Sequence, residues 1–191
     1  MAARRARDNR LLDAVELLPV EPYAGTVWRI VGDGRDPLRC SRAGGRWDDR
    51  TFDVLYTATT ADGAAEEMYF HLNRGQPVFP SLLRYRLFEL EVTINECVQI
   101  KTLEELAALG LAVASFGRLS YVDREKEYPR TQEIAEAANF HERHGLLVPS
   151  ARSKYPNVVV FCERAGIAAV DVVKDHGIFD WSAWRKKLSG S

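Results

Sequence analysis

Gly44-Gly45-Arg46-Trp47, Leu55-Tyr56-Thr57-Ala58 and Ala64-Ala65-Glu66-Glu67-Met68-Tyr69-Phe70-His71 follow one another between residues 44 and 71. A glycine turn, a short β-prone run and a helical run therefore bring a permanent cation, an aromatic ring and a carboxylate close together in sequence. Val54 to Ala58 is apolar and β-prone, and the Thr59-Thr60-Ala61-Asp62 that follows supplies side chains suited to a helix N-cap. The pattern predicts a strand, a tight connection and a helix over residues 62–72, with Glu67 and His71 four residues apart on one helical face. An arginine can grip a phosphate bidentately, a tyrosine can stack on a flat ring, and a carboxylate can oppose positive charge developing on a sugar. Together these groups suit a nucleotide sugar such as NAD.

Working outward, residues 8–18 carry apolar side chains at 11, 12, 15, 17 and 18, with Asp8 or Asn9 as N-cap and Pro19 as stop, so a short amphipathic helix is predicted. Pro19, Pro22 and Gly25 then break the pattern, and residues 26–31 read as a first strand. Residues 82–94 alternate apolar and polar from Leu83 onward, the mark of a half-buried strand, with residues 98–100 continuing it after a break. Thr102-Leu103-Glu104-Glu105 is a capping box for a helix that Gly110 ends. A further helix is predicted over 131–144, core strands over 145–149 and 157–161, a last strand over 168–173, and a final helix around Trp181 and Trp184. The fold class expected is α/β (α+β), a single domain of twisted, mostly antiparallel sheet with peripheral helices. Residues 1–25 read as an N-terminal helical extension and 26–191 as the main domain.

Composition bounds the function. The 191 residues are 46% hydrophobic and 28% charged, ordinary for one globular domain. With 26 basic and 27 acidic residues the net charge is −1, so the overall field gives no reason for direct nucleic-acid binding. Arg4, Arg5, Arg7 and Arg10 form a local basic cluster, read as a solvated terminus in preference to a docking arm. No apolar run of about 18 residues is present and the N-terminus lacks signal-peptide features, so no membrane association is expected. Cys40, Cys97 and Cys162 are widely spaced and form no CxxC or Cys/His zinc pattern. Neither a disulfide framework nor a metal site is expected from them, and a cytoplasmic location fits best.

Val27-Trp28-Arg29-Ile30, Gly45-Arg46-Trp47, Tyr56, Glu67 eleven residues after it, and Leu147-Val148-Pro149-Ser150-Ala151-Arg152 followed by Asn157-Val158-Val159-Val160-Phe161 together resemble the RES domain. That family is named for an arginine, a glutamate and a serine. The resemblance spans residues 26–173 and rests on five ordered blocks, each weak alone. It implies the toxin of a bacterial toxin–antitoxin pair, a fold like the ADP-ribosyltransferase toxins, and an activity that consumes NAD. It also implies a cognate antitoxin, an Xre-like helix-turn-helix protein, that blocks the cleft.

Breaking the nicotinamide–ribose bond passes through an oxocarbenium-like state and releases a neutral leaving group, so no general acid is needed for departure. A carboxylate near the ribose and cations on the pyrophosphate are what help. Glu67 takes the first role, its spacing from Tyr56 in the family favouring it over Glu66. Arg46, set beside glycines, and Arg29, placed in a strand on the face opposite Trp28 and Ile30, are the candidate ligand arginines. Tyr56 either stacks on nicotinamide or fills the core. His71, one turn beyond Glu67, either orients it or binds a ribose hydroxyl. Ser150 lacks a GxSxG elbow and is assigned a hydrogen bond to substrate or to Glu67, not a nucleophile's part. The resemblance thus implies a mono-ADP-ribosyltransferase, NAD glycohydrolase or phosphorylase, the acceptor being a protein target, water or phosphate. A noncatalytic nucleotide- or protein-binding module with the same arginine-lined cleft is the alternative.

Overall fold

The computed structural model describes residues 7–73, 84–118 and 124–189. Arg4 and Arg5 of the basic cluster and residues 82–83 of the expected strand lie outside the described residues. Among the described residues the order is α1 (Asn9–Glu16), β1 (Val20–Gly32), β2 (Val54–Ala58), α2 (Ala61–Leu72), β3 (Tyr85–Gln99), α3 (Leu103–Ala108), α4 (Arg124–Phe140), β4 (Gly145–Val148), β5 (Asn157–Phe161), α5 (Cys162–Ala165), β6 (Val170–Ile178) and α6 (Trp181–Ser189). This is a single-domain mixed α/β fold, as the patterning predicts.

The sheet runs β1-β2-β5-β4-β3-β6 and closes on itself, because β3 also pairs with β1. Among the described residues only the β3–β4 pairing is parallel, and the chain between those strands carries α3 and α4 as the crossover that a parallel pair requires. The period-2 alternation shows in β5. Val158 and Val160 face a cluster with Val27, Leu55, Leu90 and Val92. Val159 and Phe161 face the main core with Trp47, Ile100, Leu106, Ile134 and Leu146. A third cluster joins Ile30, Ala58, Ala64 and Ala65 to Trp181 and Trp184, so α6 packs onto the helix that carries Glu67.

Several boundaries differ from expectation, each for a local reason. β1 begins at Val20, not 26, and passes Pro22 through a register shift between Glu21 and Tyr23, where the missing proline N–H is tolerated. β3 runs unbroken to Gln99. α4 starts at Arg124 and contains Pro129, earlier than the expected 131, and stops at Phe140. Its end comes where Glu142 takes a positive φ of 60° and the N–H groups of Glu142 and Arg143 turn back onto Asn139 and Ala138. β6 extends to Ile178, beyond the expected 173. The helix caps match: the Asp8 carboxylate accepts from Arg10 and Leu11 N–H, and Thr102 with Glu105 forms the reciprocal capping box.

The cysteines correct the sequence argument. Cys40 and Cys162 are joined in a disulfide that spans 122 positions, their Cα atoms 6.5 Å apart. Sequence spacing carries no information about this pair, because β5 brings the start of α5 beside the loop that follows β1. Its link ties that loop, which carries Arg46, to the sheet. Cys97 is free and buried, and burial pushes its thiol up to about 12.

Candidate functional site

β2 ends at Ala58, and after a two-residue connection Thr60 caps α2 by accepting from Gly63 N–H at 3.0 Å. The cap sets the helix phase. Ala64, Glu67 and His71 then line one side of a cavity of ≈ 360 Å³, while Glu66 is not among its lining residues. That volume is in the range of small-molecule sites. Arg29, Arg46 and Tyr56 line the same cavity, so five of the six expected site residues meet there. The sixth, Ser150, reaches it through Glu67: its hydroxyl donates to Glu67 Oε1 at 2.6 Å. Among the described residues no hydrogen bond joins His71 to Glu67. The carboxylate is held by Ser150 and by Asn157, whose Nδ2 donates to Oε1 at 3.0 Å.

The arginine turn is built around a carboxylate that sequence reasoning missed. Asp48, fully buried, accepts from Gly44 N–H at 2.6 Å and from Gly45 N–H at 2.7 Å. Gly44 has φ +81°, and a Cβ on Gly45 would lie 2.5 Å from the Tyr56 hydroxyl oxygen, so both positions require glycine. Tyr56 completes the turn, donating to Asp48 Oδ2 at 3.0 Å and accepting from Trp47 N–H at 2.9 Å. Burial, reinforced by Asp48, pushes the Tyr56 hydroxyl well above its ordinary range and keeps it protonated. Trp47, 1% exposed, anchors the turn in the main core. Tyr56 thus both lines the cavity and serves the fold.

Arg46 is not a free cation. Its Nη1 donates to Glu127 Oε1 at 2.6 Å, the side chains being 10% and 2% exposed. The guanidinium lies 4.7 Å from the ring centres of both Phe116 and Tyr128. Glu127 also accepts from Gly117 N–H at 2.5 Å, and Gln132 donates to Gly45 O at 2.7 Å. These contacts explain why α4 runs through Pro129: its early turns deliver Glu127 and Tyr128 to the arginine, and packing outweighs the proline penalty.

Two other arginines in the cavity have no carboxylate partner among the described residues. Arg29 donates to Pro37 O and Arg39 O, and burial pulls its pKa down to about 10 despite nearby Asp36, leaving it charged at neutral pH. Arg152, quoted in the family pattern but not expected as a site residue, donates to Gly117 O and lies 3.3 Å over the Phe70 ring. Burial and the charge of Arg46 lower its pKa. The cavity wall therefore combines two fixed carboxylates, Glu67 and the turn-bound Asp48, with two arginines available to an anion and a protonated tyrosine, a set able to hold a phosphate-bearing sugar with its ring carbon near Glu67. Among the described residues no group of three or more His, Cys, Asp or Glu could hold a metal ion, and no helix is long and apolar enough to cross a membrane.

The RES domain model matches residues 26–182. The fold is similar to a chain in the crystal structure of the M. tuberculosis MbcT–MbcA toxin–antitoxin complex, with a TM-score of 0.79 and 22% identity over 95% of this chain and 98% of that one. No curated protein matches in sequence.

Proposed function

Because the chain belongs to the RES domain family, we propose that it is the toxin of a toxin–antitoxin pair, cleaving the nicotinamide–ribose bond of NAD and passing ADP-ribose to a protein side chain, water or phosphate. The observation that carries this is the Glu67 carboxylate, fixed by Ser150 and Asn157 inside a cavity that Arg29, Arg46 and Arg152 line. A carboxylate opposes an anionic nucleotide unless it engages the sugar, where it stabilises the oxocarbenium. In that role Arg152 and Arg29 hold the pyrophosphate, Arg46, its charge balanced by Glu127, offers its remaining N–H groups to the ligand, and Tyr56 presents a rigid ring edge beside the nicotinamide. Support for the biological role comes from the similar fold found in a toxin–antitoxin complex. The antitoxin is an Xre-like helix-turn-helix protein that covers the cleft, and the enzyme works in the cytoplasm.

The test is release of nicotinamide from NAD by the pure protein, with Glu67→Gln beside it. Turnover by the wild type, reduced about 10²-fold or more in Glu67→Gln with NAD binding little changed, is the expected result. An equal loss in Glu66→Gln would move the assignment to its neighbour. NAD binding without any nicotinamide release by the wild type would leave a noncatalytic binding module.

A further inference from the structure

Both hydrogen bonds that Glu67 receives among the described residues land on one oxygen. Ser150 Oγ donates to Oε1 at 2.6 Å and Asn157 Nδ2 donates to the same atom at 3.0 Å. The direction of each bond is forced. Ser150 Oγ already accepts from Arg152 N–H and Ser153 N–H, each at 3.0 Å, so its acceptor positions are filled and its one proton goes to Glu67. An ionised carboxylate only accepts, so the Asn157 amide must turn its NH₂ toward Oε1.

That orientation has an unfavourable side. Asn157 Oδ1 is buried with no hydrogen-bond partner among the described residues. An orphaned carbonyl oxygen destabilises the fold, and an apolar side chain of similar size would avoid it. The asparagine therefore does not serve the packing of its own strand. It stands at the first position of β5, in register with Ala58 at the end of β2 and Val148 at the end of β4, where the sheet gives it a rigid base.

Resting on the NAD-cleaving function above, we infer that Asn157 is a positioning residue for Glu67. It shares Oε1 with Ser150, locks the plane of the carboxylate, and leaves Oε2, which receives no hydrogen bond among the described residues, to face the ribose. Asn157 also lines the cavity, but its Nδ2 is committed to the carboxylate, so its loss should lower turnover and leave substrate affinity nearly unchanged.

The experiment compares Asn157→Ala and Asn157→Asp by nicotinamide release, NAD KM and melting temperature. Aspartate nearly matches the shape of asparagine but replaces a donor with a like charge against Glu67. With Asn157→Ala, kcat should fall about tenfold at a KM within about twofold of wild type, and with Asn157→Asp about 10²-fold. A purely structural role lowers the melting temperature of both variants and leaves kcat of the folded protein unchanged. That outcome, a smaller kcat loss in Asn157→Asp than in Asn157→Ala, or a rise in KM at unchanged kcat, overturns the inference. Should Asn157→Asp not fold, Asn157→Ala with Ser150→Ala and the double variant decides: losses in kcat that do not simply multiply indicate two donors on one oxygen, and strictly multiplicative losses overturn the shared anchoring. Wild type that releases no nicotinamide removes the proposed function and this inference together, whereas active wild type with the wrong variant order removes the inference alone.

Discussion

Arg46 and Glu127, 81 positions apart, form an ion pair of 2.6 Å that is almost wholly shielded from water. The turn and the helix are locked to each other through it, because Glu127 also holds Gly117 and the guanidinium is flanked by Phe116 and Tyr128. Breaking one side of such a pair leaves a buried charge alone, which costs about 3 to 5 kcal/mol. Arg46→Ala and Glu127→Ala should each destabilise the protein by that order in urea unfolding. Arg46→Lys should recover only part of the loss, since an ammonium keeps the charge but not the planar stack. Full recovery with lysine would show that charge alone matters there.

Arg152 separates from Arg46 in the same experiments. It has no carboxylate partner among the described residues and contacts a carbonyl and a ring face. Arg152→Ala should therefore lower stability less than Arg46→Ala while raising the KM for NAD more, about tenfold, because an anion-holding interaction is lost. Equal stability losses in the two variants, with KM unmoved by Arg152→Ala, would count against a ligand-holding role for Arg152.

The strand–helix unit carrying Tyr56 and Glu67 was legible because its signals are local: a β-prone run, a threonine cap and helical spacing all lie within a few residues. Arg29 and Arg46 were legible as cavity residues for the same reason. What holds them was not. Glu127, Asn157 and the Cys40–Cys162 link act across 81, 90 and 122 positions, and nothing in local sequence distinguishes such residues from solvated or solitary ones. Asp48 carried a faint signal, a carboxylate three residues past a glycine pair, which favours a side-chain-closed turn. The early start of α4 was hidden by Pro129, whose local preference is overridden by the contact with Arg46.

Tyr56 predicts a pH dependence of stability. Its folded pKa is raised, first by burial and then by Asp48, while an unfolded tyrosine titrates near about 10. Above that pH the unfolded chain releases a proton that the folded chain keeps, so the unfolded state binds fewer protons and stability falls as pH rises. The contribution is fully present below about pH 10 and is lost above it. Tyr56→Phe should be less stable at neutral pH by about 1 to 2 kcal/mol, having orphaned the Trp47 N–H, but should show a flatter decline above about pH 10. Tyr23 and Cys97, also raised, add the same sign in both proteins and cancel from the difference. Parallel curves for the two proteins would mean that Tyr56 does not resist ionisation in the fold.

The disulfide gives a third kind of test. A link closing a loop of 122 positions restricts the unfolded chain, worth about 3 to 5 kcal/mol on the loop-entropy account. Oxidised protein should melt several degrees above the Cys40→Ser variant, and a reducing agent should bring the wild type down to the variant. Native protein in which both thiols alkylate readily without prior reduction, at an unchanged melting temperature, would show that the link does not form in solution.

The antitoxin is the partner on which the proposed biology depends. An enzyme that consumes a central cofactor harms the cell that makes it, so expression of the wild type alone should arrest growth and lower NAD, whereas Glu67→Gln should be tolerated. A co-encoded partner should protect by covering the cavity around Arg46 and Tyr56, where access to Glu67 is decided. Protection by competition has a measurable signature: NAD and the partner exclude each other, so saturating NAD weakens partner binding to the Glu67→Gln protein in proportion to NAD affinity. Partner binding that NAD leaves unchanged would place the antitoxin elsewhere on the surface. Wild-type expression without loss of NAD, protein ADP-ribosylation or growth defect would sink the toxin function and leave a binding module in its place.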